Sequence, residues 1–202
     1  MSNYILDNFL YKNENVEGNE REIMLFGITR ILEDIPKYVT IFLIAYFCHI
    51  LKYVGIILAI TILYKFFVGG AHARTNIGCL ISSIAYFIAP VYLARYININ
   101  VYLLSAIALI LSLIIIYKIA PADTEEIPIL KKEKRDKLKM VALISLIAIL
   151  TVNLIVIKNN YIQNLILLTV LVIDICTTKP VYMLYRCKYS YESDEFKEYF
   201  NK

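Results

Sequence analysis

The stretch GGAHARTNIGC, residues 69–79, concentrates the groups in this sequence that are capable of covalent chemistry. It holds one of only two histidines, His72, seven positions before a cysteine, Cys79, together with three of the six glycines. Cysteine with histidine is the pairing of nucleophilic acyl transfer: the imidazole takes the thiol proton, the thiolate attacks a carbonyl, and the imidazolium returns the proton to the leaving group. The spacing argues against an uninterrupted helix. Residues seven apart are separated by about 10 Å along a helix axis, too far for a hydrogen bond of roughly 3 Å. A working pair therefore requires a broken helix or a re-entrant turn, and Gly69, Gly70 and Gly78 have the backbone freedom for one. Asn76 could orient the imidazole, while Lys65 and Arg74 could attract an acidic substrate segment. The thiolate would be favoured further by a neighbouring imidazolium or by the N-terminus of the helix that follows. A structural reading competes: Cys79 begins an apolar helix, His72 is an interfacial polar residue and the glycines form an ordinary turn. Residue types leave both open.

The elements that must position this segment are membrane helices. The 202 residues are 59% hydrophobic and only 19% charged, with a mean hydropathy of +0.63, which excludes an ordinary water-soluble domain. Apolar runs at 38–51, 53–68, 79–93, 101–119, 140–157 and 161–177 predict an all-α, polytopic bundle of about six spans, the first two short for a full crossing. Ahead of them Met24, Ile28, Ile31 and Ile35 recur at helical spacing among Glu22, Arg30, Glu33 and Asp34. That pattern predicts an N-terminal amphipathic helix, an interfacial anchor or a docking surface. The chain divides into an interfacial region over 1–36, a membrane domain over 37–178 and a cytoplasmic tail over 179–202. With both termini inside, 18 of the 21 Lys and Arg residues fall on the cytoplasmic side and only Lys52, Arg95 and Lys158 outside. His72 and Cys79 are thereby expected at the cytoplasmic edge, between the second and third spans. No signal peptide is expected, because acidic and polar residues run all through the first 36 positions. The basic residues cluster in loops, which fits membrane orientation and not nucleic acid.

Taken with these spans, GGAHARTNIGC resembles the central motif of the accessory gene regulator B family, where Gly-x-His-Ala precedes a nucleophilic cysteine seven residues after the histidine. A second match lies in APADTEEIPI, residues 120–129, similar to that family's APA-x-T segment with its Pro-Ile pair and basic loop. The resemblance extends through Gly27, the number of spans and most of the chain. It implies a membrane-embedded cysteine endopeptidase of a bacterial cell membrane that removes the C-terminal tail of a short quorum-sensing precursor peptide. Cys79 would be the nucleophile, His72 the general base and then acid, and the acyl-enzyme would close into a thiolactone or lactone ring. Lys65 and Gly70 stand where the family tends to have a basic residue and a glycine. The implied partners are a precursor with an amphipathic N-terminal segment and an acidic tail, the lipid bilayer, and a second copy if the bundle forms a dimer.

No cofactor is expected: there is no Walker A pattern, and the cysteines and histidines lack metal-site spacing, so no metal is implied. Asp174, inside the last apolar run, is a secondary candidate. An intramembrane carboxylate is a functional hypothesis by default, although pairing with Lys179 or reaching the headgroups would also account for it. Asn153, Gln163 and Asn164 are expected to make interhelical hydrogen bonds. Cys48, Cys176 and Cys187 read as inert, since none follows a histidine by seven residues in a glycine-rich break. The basic KKEKRDKLK run either fixes topology or holds an acidic tail, and YESDEFKEYF is expected to be a solvated or interfacial tail. A small transporter or peptide exporter using Asp174, and a non-catalytic membrane scaffold, are the rival functions.

Overall fold

A computed structural model describes residues 18–71, 73, 75–97, 99–124, 129 and 131–192, with side chains from residue 32 onward except those of residues 33 and 76. His72 and Arg74 therefore lie outside the described residues, as does the Asn76 side chain. The expectations for Gly69, Gly70, Gly78, Lys65, Cys79 and Asp174 all fall within them.

The described chain is helical, with two isolated β-bridges and no strand among its described residues. Helix α1 spans Gly18–Phe47, α2 Leu51–Val68, α3 Asn76–Tyr96, α4 Val101–Lys118, α5 Lys132–Ile155, α6 Asn160–Cys176, and a short α7 Lys179–Leu184. Leu51–Val68, Ile77–Tyr96, Val101–Lys118 and Lys132–Ile155 are long and apolar enough to cross a membrane. Helix α6 is apolar but only 17 residues long, about 26 Å at the α-helical rise. The amphipathic stretch and the first apolar run, expected as separate elements, share the single helix α1. Pro36 does not end it, since an interior proline removes one hydrogen bond and can be carried by the turns around it. The break falls instead at Cys48–His49, where His49 adopts φ +57°.

Side-chain caps begin α3, α4 and α6. Thr75 accepts from the Gly78 amide at 3.1 Å, Asn100 from that of Tyr102 at 2.8 Å, and Asn159 from that of Ile162 at 3.1 Å. Helix α6 is the hub, packed against α2, α3, α4 and α5. Its Leu165, Leu167, Val170 and Ile173 are fully buried beside Thr169 and Asp174. Helix α4 shows how lipid replaces water as solvent: small and polar Ser105, Ala108 and Ser112 face inward beside Leu104, Ile115 and Ile116, while Leu103, Ile107, Ile110, Leu111 and Ile114 face out. That arrangement suits packing in a bilayer, where apolar residues gain nothing by leaving the surface.

Of the polar residues flagged in the last two spans, Gln163 and Asn164 bond to backbone across elements, whereas the buried Asn153 side chain makes no hydrogen bond among the described residues. Gln163 Nε2 donates to the carbonyls of Asn153 at 2.9 Å and Ile157 at 2.8 Å, closing the α5–α6 turn, and Asn164 donates to Ile97 O at 3.2 Å. Gln163→Leu should therefore lower stability by roughly 1–2 kcal/mol, read as a lower midpoint of thermal unfolding in detergent. An unchanged midpoint would show that this turn is held by packing alone.

Candidate functional site

The expected break between the second and third spans is present, and its cause is local. Helix α2 stops at Val68; Gly69 takes φ +84° and Gly70 φ +144°, the side of backbone space that side-chain-bearing residues avoid. At Gly69 the chain runs against the APA segment after α4. Ala122 N donates to Val68 O at 2.8 Å, and Gly70 N donates to Ala122 O at 3.0 Å. A Cβ on Gly69 would stand 2.4 Å from Ala122 O, so the approach is possible only for glycine. The next residue is anchored on a third element, with Ala71 N donating to Cys176 O at the end of α6 at 3.0 Å. The Gly69–Gly70 turn and the APA segment, both singled out in the sequence, thus form one hydrogen-bonded unit.

Gly78 does not share in the break. It lies in the first turn of α3, its amide taken by the Thr75 cap, and a Cβ there would meet Thr75 Oγ1 at 2.6 Å. Its role is to let the cap close, because the helix begins at Asn76 and so includes it. Cys79 belongs to the same turn, its amide donating to Thr75 O at 2.8 Å. The thiol is partly exposed, near the end of a helix that favours negative charge.

Cys79 opens into a cavity of about 100 Å³ between α1, α2, α3 and the end of α6. Ala71 and Ala73, the sequence neighbours of His72, both line it. Two lysines line the same cavity. Lys65, from α2, lines it together with Cys79 and Cys176, and its ammonium lies 4.6 Å from the centroid of the Tyr86 ring. Lys37, from α1, also lines it and is held by Asp34 at 2.8 Å. Such a site can favour a thiolate, an oxyanion or a substrate carboxylate by charge. Of the residues in it, sequence reasoning identified Lys65 and Cys79 and missed Lys37, Asp34, Tyr86 and Cys176. Their approach is long-range, and no spacing in the chain signals it.

Asp174 lies outside the lining of this cavity. It is 2% exposed, accepts from Tyr64 Oη at 3.0 Å and from the Ser112 hydroxyl, and neither pairs with Lys179 nor reaches the surface. Lys179 instead meets Glu192 at 3.2 Å. The reason is the face of α6 on which Asp174 falls, toward α2 and α4.

The segment after α6 folds over the Gly69–Ala122 unit. Tyr182 Oη donates to Ala122 O at 2.8 Å, Tyr189 Oη to Thr177 O at 2.6 Å, and the Tyr182 and Tyr189 rings stack at 3.9 Å. Burial raises the Tyr182 phenol, and burial with the nearby Tyr191 phenol pushes Tyr189 up to about 12, so both remain donors at neutral pH. Asp123 fastens the APA loop on its other side, accepting from Arg135 at 2.9 Å and from the Ile129 amide at 2.8 Å. Of YESDEFKEYF, Tyr191 stacks on Tyr189 and Glu192 pairs with Lys179; the residues from 193 on lie outside the described ones.

Gly69→Ala should be the most damaging single-methyl change in this region, costing roughly 2–3 kcal/mol from backbone strain and displacement of Ala122. Gly70→Ala, whose Cβ would meet Cys176 O at 3.5 Å, should cost less. Thermal unfolding of the two purified variants side by side checks the order, and equal midpoints would contradict it.

The family model for accessory gene regulator B matches residues 2–178, a range that ends just before the tyrosine cluster. An AgrB-like protein of Clostridium acetobutylicum is 31% identical over 147 residues, 73% of this chain and 70% of that protein. The accessory gene regulator protein B of Staphylococcus saprophyticus is 28% identical over 173 residues, covering 84% and 89% respectively. That of Staphylococcus aureus strain MW2 is 32% identical over 130 residues, covering 63% and 69%. No solved structure matches. With four helices apolar and long enough to cross a bilayer and a family match over most of its length, this chain is a membrane protein of the accessory gene regulator B family.

Proposed function

We propose that this protein is a membrane-embedded cysteine endopeptidase of quorum sensing, which cleaves the C-terminal tail from a short precursor peptide and promotes its cyclisation. The observation that carries the reading is the setting of Cys79. The cysteine that matches the family's nucleophile stands in the first turn of α3, beside a glycine-made break, and opens into a cavity with two lysines. In this reading His72 takes the Cys79 proton and the thiolate attacks the scissile carbonyl. Lys65 and Lys37 stabilise the charge that develops on sulfur and oxygen, and His72 then protonates the departing amine of the tail. The bond broken is the peptide C–N and the bond formed is a Cys79 thioester. A cysteine or serine within the precursor attacks that thioester, closing a thiolactone or lactone and releasing Cys79.

Cyclisation outruns hydrolysis when the internal nucleophile is held close, since effective molarities of oriented groups reach about 10⁵ M or more. A peptide is more stable than a thioester, so release of the tail or partitioning of the ring into the bilayer draws the first step forward. The lysines also suit an acidic tail. The charge distribution supports a cytoplasmic site with both termini on the same side. The exporter alternative rested on Asp174, and the engagement of that carboxylate by two hydroxyls from α2 and α4 suits a structural role better than a transport one.

Co-expression with the cognate precursor tests the reading. Cys79→Ala and His72→Ala should each abolish tail release with membrane insertion unchanged, and mass spectrometry of the wild-type protein should find an acyl adduct on Cys79. Normal cleavage by either variant would sink the proposal.

A further inference from the structure

Helix α2 is not α-helical throughout. Leu51–Ile60 is α, Thr61–Lys65 forms a π turn, and Phe66–Val68 returns to α. A π turn accommodates one extra residue, equivalent to about 100° of helical rotation. It therefore resets the faces presented by all that follows. Such turns have poorer local geometry and persist where tertiary contacts hold them. Here both ends are tethered. Thr61 Oγ1, at the start, is 2.7 Å from Tyr86 Oη on α3, the helix that carries Cys79. Tyr64, near the end and wholly buried, donates to Asp174 on α6 at 3.0 Å, and the Ser112 hydroxyl of α4 completes that carboxylate's coordination. The residue directly after Tyr64 is Lys65, which points into the Cys79 cavity and is covered by the same Tyr86 ring.

We propose that Asp174 is a positioning residue: by holding Tyr64 it keeps the π turn of α2 in the register that delivers the Lys65 ammonium to Cys79. The assignment deepens the peptidase reading and rests on it only for the statement that Cys79 is the nucleophile. It also explains why a carboxylate stands so deep in the bundle. A buried carboxylate is expensive to desolvate, and a pair of apolar residues would pack α6 against α2 at lower cost. Such a pair would leave the turn untethered and Lys65 free to rotate off the cavity.

The test measures Cys79 directly, without the precursor. Full-length protein in lipid nanodiscs is alkylated with iodoacetamide at fixed pH and ionic strength, and mass spectrometry follows the Cys79 peptide. Lys65→Gln should slow alkylation on the order of fivefold through loss of the nearby positive charge. Asp174→Asn and Tyr64→Phe should slow it by a similar factor, and Asp174→Asn combined with Lys65→Gln should be no slower than Lys65→Gln alone. Should Asp174→Asn fail to fold, Tyr64→Phe removes only one hydroxyl and carries the same test. A rate indifferent to Lys65→Gln, unchanged rates in the Asp174 and Tyr64 variants, or independent effects that multiply in the double variant would each overturn the proposal. A merely structural role for Asp174 would change the unfolding temperature without this coupling. Precursor cleavage by Cys79→Ala would remove the peptidase reading and leave the coupling between Asp174 and Lys65 to be judged by the alkylation rates.

Discussion

The contact between the Ala122 carbonyl and the bare Cα of Gly69 is the constraint around which the rest of the site is arranged. Only a residue without Cβ can approach that oxygen so closely, and only one that tolerates positive φ can turn away from α2 there. The same carbonyl accepts from Gly70 N and from Tyr182 Oη, so both lone pairs are used by segments far apart in the chain. One residue further on, the Ala71 amide is fixed to the end of α6. The backbone that leads from α2 into the histidine-bearing segment is therefore held from three directions without any side chain of its own.

Lipid sets the terms for the scaffold. With apolar side chains as comfortable outside as inside, the specific contacts of the largely apolar interior come from buried backbone acceptors and a few polar side chains. Helix α6 carries most of these: Gln163 and Asn164 bind carbonyls at one end, and Asp174 gathers Tyr64 and Ser112 at the other. The central helix thus ties the bundle together and, at its Cys176 end, forms part of the cavity wall.

Much of this was legible along the chain, and what escaped is instructive. The seven-residue spacing of His72 and Cys79 demanded a break, and Gly69 and Gly70 form it. Gly78 looked equivalent by type but serves a helix cap, since only the position of Thr75 relative to α3 separates the two roles. Lys37 read as a topological charge and Cys176 as an inert thiol. Each reaches the cavity through helix packing that no local pattern encodes. Asp174 seemed near enough to Lys179 for a pair, yet its direction on α6 sends it inward while Lys179 turns to Glu192. Tyr182 and Tyr189 carried no signal at all, because a tyrosine beyond the last span looks the same whether it meets headgroups or seals a loop.

By itself the sequence determined the solvent, the helices and the glycine break ahead of Cys79, because hydropathy, capping residues and short-range spacing act within a few turns of one chain segment. Tertiary structure alone decided that the Gly69–Gly70 turn binds the APA segment, that α1 and α6 contribute Lys37 and Cys176 to the Cys79 cavity, and that a π turn aims Lys65. Those outcomes depend on which faces of distant helices meet. A shift of one residue in helical register, about 100° of rotation, is enough to change them without altering any local pattern.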